Sequence, residues 1–268
     1  MTGRRMTEQL RQLAGSLLAH HLAGQEARHQ PEEAHTLYQT STIAALLDGI
    51  YDGEVTIAEL LTHGDFGLGT FNHLDGEMVV LDGTCYHLHS DGSAGLAADD
   101  ERTPFAAITT FDPDITIPIT RPTARADVIA LIDEAIPSEN LVHAVRISGT
   151  FTHVRTRTVM AQTPPYPPLT EATADEPITD FDDVTGTLAG FRTPDFEQGI
   201  SVAGYHQHFL DREHEHGGHA LDYTVARGKI TISTASELHL SLPRTGPFLS
   251  ANLTAVDTAA QILKSEGS

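Results

Sequence analysis

A dense group of histidines in one short segment constrains this chain more than any other feature of its sequence. Residues 204–219 contain five histidines and end in Gly-Gly-His. If residues 201–210 form a β-strand, its side chains alternate between two faces, so His206 and His208 project from one face about 7 Å apart along the strand. A polar turn then returns the chain as an antiparallel strand, which brings His219 beside the first pair. The segment therefore predicts a hairpin that gathers three histidines.

These three histidines have the donor chemistry of a metal site. Three neutral imidazoles with a fourth position open are the usual protein ligands of a catalytic zinc ion. The same triad accepts cobalt, nickel, copper or iron, so the pattern does not fix the metal. His214 and His216 lie in the most polar part of the turn, between Glu213 and Glu215, and we interpret them as solvated side chains.

The chain has one cysteine, Cys85, in 268 residues. A single thiol forms no internal disulfide and builds no thiolate site, so nitrogen and oxygen atoms must provide any metal ligands. With 40% hydrophobic and 20% charged residues, the composition is that of a globular protein. The length suits one large domain or two ordinary ones, and we expect two.

The formal net charge of −21 limits the partners of the chain. Nucleic acid is an unfavourable partner, because its phosphates require a basic surface. No apolar run approaches the roughly 20 residues that a membrane span requires. We therefore expect a soluble protein with neither nucleic-acid nor membrane partners. An acidic surface of this kind also suits a halophilic host.

The first 37 residues differ in pattern from the rest of the chain. Leu10, Leu13 and Leu17 fall at helical spacing in a segment that ends near Gly24, and a polar stretch succeeds it. Charged residues and histidines interrupt the apolar positions, which is not typical of an export signal. We predict an N-terminal extension over 1–37, a helix plus a linker, and a cytoplasmic protein.

Residues 38–163 read as an α+β unit. The patterns predict a strand or short helix at 41–47, a short helix at 56–61, a glycine-rich loop at 64–70, two strands joined at Asp82-Gly83, a helix at 125–135 and two strands at 143–147 and 150–159. The glycine-rich loop lacks the lysine and the following helix of a phosphate-binding loop.

A proline-rich segment at 162–169 marks the clearest boundary, because proline removes amide donors and a regular sheet cannot run through it. Residues 164–268 then form a second unit that carries the histidines. Its strands are predicted at 184–192, 201–210, 220–227, 229–234 and 237–241. The fold class is therefore α+β with two β-rich domains: an N-terminal mixed sheet with helices, and a C-terminal antiparallel sheet or small barrel with the metal site.

Four blocks of sequence, at 67–78, 103–106, 149–157 and 204–219, resemble the α-acetolactate decarboxylase family in that order. The resemblance spans about residues 38–268. This chain departs from the family in its N-terminal extension and in the histidine-rich, acidic turn between the ligands. Neither departure touches the motif positions.

The resemblance implies an enzyme that converts 2-acetolactate to acetoin and carbon dioxide with a zinc ion. Matched residue by residue, His206, His208 and His219 correspond to the three metal ligands of the family. Glu77 corresponds to an active-site carboxylate, and Arg157 corresponds to the active-site arginine.

The resemblance also implies a second carboxylate and an assembly. A family glutamate lies near the C-terminus, and Glu266 is the candidate left in this tail. The implied assembly is a homodimer built through the first domain. In the implied reaction the metal polarises the ketone and hydroxyl oxygens, Arg157 binds the substrate carboxylate or an adjacent oxygen, and Glu77 or Glu266 protonates the enediolate.

The residues themselves leave several of these roles open. Arg155 and Arg157 share a strand face, so either arginine could serve. An exposed glutamate beside a hairpin, such as Glu77, needs no function. Thr70, at the end of the glycine-rich loop, either lines the site or caps a local turn.

Two alternatives from other classes of protein remain. His206-x-His208 followed by Glu213 has the spacing of the first half of a cupin ligand motif, although the second half is missing. A non-catalytic zinc store or sensor would use the histidines collectively and leave acetolactate untouched. Turnover distinguishes the decarboxylase from both.

Overall fold

The computed structural model describes residues 35–253 and 258–266. The predicted N-terminal helix lies outside the described residues. Within them, strands dominate and short helices pack around two main sheets, so the predicted α+β class is confirmed. None of the described helices is long and apolar enough to cross a membrane.

The strands and helices are numbered in chain order. The strands are β1 (Thr36–Thr40), β2 (Val55–Thr56), β3 (Phe66–Thr70), β4 (Glu77–Leu81), β5 (Thr84–Leu88), β6 (Ala94–Leu96), β7 (Arg102–Thr103), β8 (Phe105–Thr109), β9 (Ile115–Ile119), β10 (Thr123–Ala124), β11 (Val142–Arg157), β12 (Ile178–Thr193), β13 (Gly204–Asp211), β14 (Gly217–Ala235) and β15 (Glu237–Ser241). The helices are α1 (Ile43–Leu47), α2 (Ile57–Leu60), α3 (Arg125–Ala135), α4 (Leu169–Ala172), α5 (Gly246–Ser250) and α6 (Thr258–Glu266).

The first sheet has seven strands in the order β15-β1-β8-β3-β4-β5-β6. Its pairs are antiparallel except for β1 with β15, which is parallel, so the sheet is mixed as predicted. Asp82 and Gly83 both have positive φ, 51° and 76°, as a tight hairpin turn between β4 and β5 requires. The hairpin predicted at this dipeptide is confirmed.

The second sheet is antiparallel and closes on itself. β11 pairs with β12, β12 with β13, β13 with β14, and β14 again with β11. β14 pairs with β13 at its start and with β11 along most of its length. Its later part also pairs with β10 and β9. The four central strands therefore form a ring in which the predicted histidine hairpin, β13 to β14, is one side.

Two apolar clusters fix the sheets. One lies within the second sheet and includes Val128 and Ile132, through which α3 packs against the strands. The other joins the two sheets: Leu68 and Val79 of the first sheet contact the cluster that contains Phe191 of the second. Each such buried side chain stabilises the fold by about 1.5–3 kcal/mol relative to its exposed state. The sheets are therefore held face to face, and side chains from both can meet.

The glycine-rich segment at 64–70, predicted as a loop, is instead mostly strand β3. A Cβ on Gly67 would lie 2.3 Å from the Ala107 carbonyl oxygen, and one on Gly69 would lie 2.4 Å from that of Phe105. These glycines therefore permit close approach of β8 rather than a flexible turn.

The strands predicted at 143–147 and 150–159 form one strand, β11, and those at 220–227 and 229–234 form one strand, β14. Ser148-Gly149 does not break β11, because Gly149 pairs with Gly186 on one side and Gly228 on the other. Glycine at these positions again marks close packing of strands. The ambiguous segment at 41–47 is resolved as helix α1, whose start is capped by the Thr42 hydroxyl.

The two sheets do not divide at the boundary predicted between residues 163 and 164. β11 precedes that boundary but pairs with β12 and β14, which lie beyond it. β15 also lies beyond the boundary but extends the first sheet through β1. The proline-rich segment is an outer connection between strands of one sheet, so it interrupts the chain without separating the sheets.

The close packing at Gly149 predicts a large effect of a single methyl group. A Cβ there would lie 2.1 Å from the Arg227 carbonyl oxygen, whereas a Cβ on Gly95 meets no atom within 4 Å. We expect Gly149→Ala to lower the free energy of unfolding by about 1–3 kcal/mol. Urea denaturation measures the change, and Gly95→Ala is the matched control. Equal stability of the two variants would show that Ser148-Gly149 is a yielding turn.

Candidate metal centre

Strand pairing brings the three predicted histidines together. His206 and His208 are two residues apart on β13, so both project from one face of the strand. His208 pairs with His219 of β14. One nitrogen of each ring lies within 4.8 Å of the others. Among the described residues, this is the one group of three or more histidine, cysteine or acidic side chains with such spacing.

The nitrogen spacing fits a single tetrahedral ion. The Nε2 atoms of His206 and His208 are 3.2 Å apart. Tetrahedral zinc with Zn–N distances of about 2.0–2.1 Å separates its nitrogen ligands by about 3.3 Å. Two ring nitrogens at this distance can share either a proton or a metal cation, so an ion can replace the hydrogen between them. The donor set therefore suits a zinc-like ion.

The first sheet orients one of these ligands. The Nδ1–H of His208 donates to the Met78 carbonyl oxygen at 2.7 Å, which leaves Nε2 as the ligand atom. Met78 lies on β4 of the first sheet, which packs against the second sheet that carries His208. The hydrogen bond thus fixes both the tautomer and the direction of the ring.

Burial favours the neutral form of two of the three histidines. His208 is fully buried, which lowers its pKa to about 4 despite the hydrogen bond to Met78. Desolvation, with smaller contributions from His208 and Arg157, holds the pKa of His206 well below its usual value. Neutral imidazoles are the form that binds a metal, so the site is prepared for one at neutral pH.

Glu77 lies beside the histidines. It is the first residue of β4, and its Oε2 is 3.7 Å from His208 Nε2. The side chain is buried, so the structure does not place it on the exposed surface of a hairpin. Glu77 therefore shares the site with the triad.

Thr70 closes the same corner of the site. It ends β3 opposite Glu77 in the ladder, and its hydroxyl donates to the Gly76 carbonyl oxygen at 2.7 Å. Thr70, Glu77 and His206 also line a narrow pocket. The rest of its wall is largely apolar and includes Ile43, Leu46, Leu74, Phe105, Val159 and Leu169. Thr70 thus both braces a turn and faces the pocket.

The structure distinguishes the two arginines of β11. The side chain of Arg155 is 48% exposed and pairs with Asp180, whereas that of Arg157 is 12% exposed. Both arginines project from one face of β11, because the extra residue at the register shift beside them, Leu221, lies on β14. Arg157 lies opposite His219, so it is the arginine at the site.

Two contacts hold Arg157 that the sequence did not reveal. Its Nε is 3.0 Å from Glu176 Oε2, and one terminal nitrogen donates to the Ser265 carbonyl oxygen of α6. Glu176 falls in an irregular acidic segment with no pattern that would single it out. Glu266 comes directly after Ser265 at the end of α6, and its side chain lies outside the described residues.

The histidines of the turn have other partners. His214 Nδ1 is 2.9 Å from the Tyr86 hydroxyl, and His216 Nδ1 is 3.0 Å from Asp211 Oδ2. Neither belongs to the triad. The turn therefore bonds to its own strand and to β5 rather than to the metal position.

Comparison with known proteins gives a consistent result. The family described as Alpha-acetolactate decarboxylase matches residues 37–255. The α-acetolactate decarboxylase of Klebsiella aerogenes is 47% identical over 232 residues, 87% of this chain and 88% of that protein. That of Bacillus subtilis strain 168 is 46% identical and covers 87% of this chain and 91% of its own length.

Solved structures agree with the sequences. The crystal structure of α-acetolactate decarboxylase from Bacillus subtilis strain 168 superposes with a TM-score of 0.85 at 45% identity, covering 87% of this chain and all of that one (100%). A Staphylococcus aureus protein described as similar to α-acetolactate decarboxylase has a TM-score of 0.83 at 36% identity, covering 86% of this chain and 100% of its own.

Measurement of bound metal distinguishes the histidines of the triad from those of the turn. We expect the purified protein to bind about one zinc ion, His208→Ala to lose it, and His214→Ala to retain it. At a free zinc concentration 100 times the dissociation constant, the metal should stabilise the fold by about 2.7 kcal/mol. Elemental analysis and thermal melts before and after chelation measure both effects. Zinc retained by His208→Ala but lost from His214→Ala would place the metal on the turn.

Proposed function

Since this chain belongs to the α-acetolactate decarboxylase family, we propose that it converts 2-acetolactate to acetoin and carbon dioxide with a zinc ion held by His206, His208 and His219. The family match confirms the resemblance of the four sequence blocks and makes the chain a decarboxylase, that is, a carboxy-lyase. The metal proposal rests on the 3.2 Å spacing of the His206 and His208 nitrogens. The cupin-like and storage alternatives lose their basis.

The reaction sets one main electrostatic demand. Loss of carbon dioxide from a 3-keto acid leaves an electron pair that moves into the ketone, so negative charge develops on that oxygen. A bound zinc ion supplies a Lewis acid that stabilises this charge. Three neutral imidazoles leave the full charge of the ion for this purpose, which is why the lowered histidine pKa values matter.

Arg157 is proposed to bind the substrate carboxylate or an adjacent oxygen. A guanidinium has five N–H donors in a planar fork. Glu176 lies beside Nε and the Ser265 carbonyl accepts from one terminal nitrogen, so the other terminal nitrogen can donate to a carboxylate. The same two contacts hold the side chain in one orientation before substrate arrives, which lowers the entropic cost of binding.

Proton transfer is proposed to involve carboxylic acids. The enediolate carbon must receive a proton from one face, which requires a positioned acid. Glu77 is supported by its place beside His208 and in the wall of the pocket. Glu266 is the second candidate, because the preceding residue, Ser265, contacts Arg157. Their individual roles are left open.

The remaining features of the proposal concern the substrate and its setting. Thr70 faces the pocket with Glu77 and is assigned to substrate binding. The apolar wall of the pocket suits the alkyl groups of 2-acetolactate, and one added methylene is discriminated only weakly by such a wall. We further propose a homodimer built through the predicted first domain, residues 38–163, and a cytoplasmic location, without nucleic-acid or membrane partners.

The primary test is turnover by the zinc-loaded protein. We expect rapid acetoin formation from racemic 2-acetolactate and no acetoin above the spontaneous background from His206→Ala prepared in the same way. Acetoin and zinc content are measured on the same samples. A wild-type protein that holds one zinc ion and forms no acetoin would contradict the proposal.

The two arginines of β11 provide a matched pair. A charged hydrogen bond contributes about 1.5–3 kcal/mol, so Arg157→Ala should lower kcat/KM by about 10- to 100-fold. Arg155→Ala removes an exposed ion pair with Asp180 and should leave kcat/KM within about twofold. Steady-state kinetics on both variants, with melts to confirm folding, measure the difference. Equal losses would remove the substrate-binding role of Arg157.

A further inference from the structure

A buried histidine outside the triad, His87, contacts the turn that leads into Glu77. It lies on β5, where it pairs with Met78 of β4, and it has no part in the proposed decarboxylation chemistry. We propose that His87, supported by Glu101, is a positioning residue for Glu77. This inference rests on the proposed role of Glu77 in decarboxylation.

The turn before Glu77 has a strained backbone. His73 and Leu74 have φ of 67° and 54°, which residues other than glycine rarely adopt, and Gly76 has φ of 80°. The Gly76 amide donates to the Leu74 carbonyl oxygen and closes a three-residue turn. Such conformations are unfavourable and persist only where the surroundings hold them.

Two side chains hold the carbonyl groups immediately before Glu77. His87 Nε2 donates to the Asp75 carbonyl oxygen at 2.5 Å, and the Thr70 hydroxyl donates to that of Gly76 at 2.7 Å. These bonds fix the two peptide planes that lead into Glu77. They therefore set the direction in which Glu77 leaves the turn.

The packing around Gly76 shows how closely His87 fits. A Cβ on Gly76 would lie 2.3 Å from the Leu88 carbonyl oxygen and 2.9 Å from His87 Nε2. The ring and the turn are therefore in direct contact, and neither can shift alone.

The position of His87 is itself fixed. Its Nδ1 is 3.0 Å from Glu101 Oε1, and its ring stacks on Phe71 with centroids 3.9 Å apart and planes 17° apart. The other carboxylate oxygen of Glu101 accepts from the Ala98 amide. The Asp75 carbonyl oxygen can only accept, so Nε2 carries the hydrogen, and the ring links the Glu101 carboxyl group to the turn.

This linkage matters because Glu77 is proposed to transfer a proton, and such a group must be accurately positioned. Glu77 Oε2 lies 3.7 Å from a metal ligand, and a displacement of about 1 Å at such a group costs on the order of 100-fold in rate. Met78, the next residue, is held by ladder pairs on both sides. Loosening the turn should therefore move Glu77 and leave the metal ligands in place.

Two substitutions at His87 separate its hydrogen bonds from its packing. His87→Phe keeps an aromatic ring stacked on Phe71 but removes both ring nitrogens, whereas His87→Gln keeps a donor for the Asp75 carbonyl. We expect His87→Phe to lower kcat about 10- to 100-fold with KM within about threefold and one zinc ion per chain. His87→Gln should recover most of the rate. His63→Phe, which changes a histidine stacked on Tyr38 at 3.7 Å, is the matched control and should retain wild-type kcat.

Amide exchange of residues 71–78, measured by mass spectrometry, tests the turn without relying on turnover. Exchange should be faster in His87→Phe than in the wild type, and Glu101→Gln should shift both exchange and kcat in the same direction. Unchanged amide exchange and unchanged kcat in folded, zinc-loaded His87→Phe would overturn the inference. Equal losses of kcat in His87→Phe and His87→Gln would overturn it too. An inactive wild type with faster exchange in His87→Phe would overturn the proposed function while the positioning of the turn stands. If His87→Phe fails to fold, Glu101→Gln decides by the same two measurements.

Discussion

The hydrogen bond from His208 to the Met78 carbonyl oxygen is the contact on which the site depends. It joins β13, which carries two of the proposed metal ligands, to β4, which begins with Glu77. The bond makes Nε2 the available nitrogen, and β4 can accept it only because the apolar cluster between the sheets holds them face to face. Ligand geometry and the approach of the carboxylate are therefore consequences of one packing arrangement.

The sequence was sufficient where local periodicity determined the outcome. Alternation along β13 predicted the shared face of His206 and His208, the Asp82-Gly83 dipeptide predicted its hairpin, and helical spacing predicted α3 with the bounds observed. It failed where distant strands decided. The glycines of β3 and β11 looked like loop residues because close approach by a neighbouring strand leaves no local pattern.

The same limit applies to the site. Alternation put Arg155 and Arg157 on one face of β11, but the pairing with β14 is needed to show that Arg157, and not Arg155, lies opposite His219. Met78 acts through its backbone carbonyl, which no residue type indicates. Glu176 lies in an irregular segment, where no spacing indicates its contact with Arg157. Recognition of the motifs supplied the site residues, and the fold supplied their supports.

The parallel pairing of the first described strand with the last has a consequence for biosynthesis. Thr36 and Glu237 meet across 201 residues of chain, so β1 lacks this neighbour until most of the polypeptide has left the ribosome. Contacts of such high sequence separation form slowly. During that interval the unpaired edge of β1 is a template for association with other nascent chains.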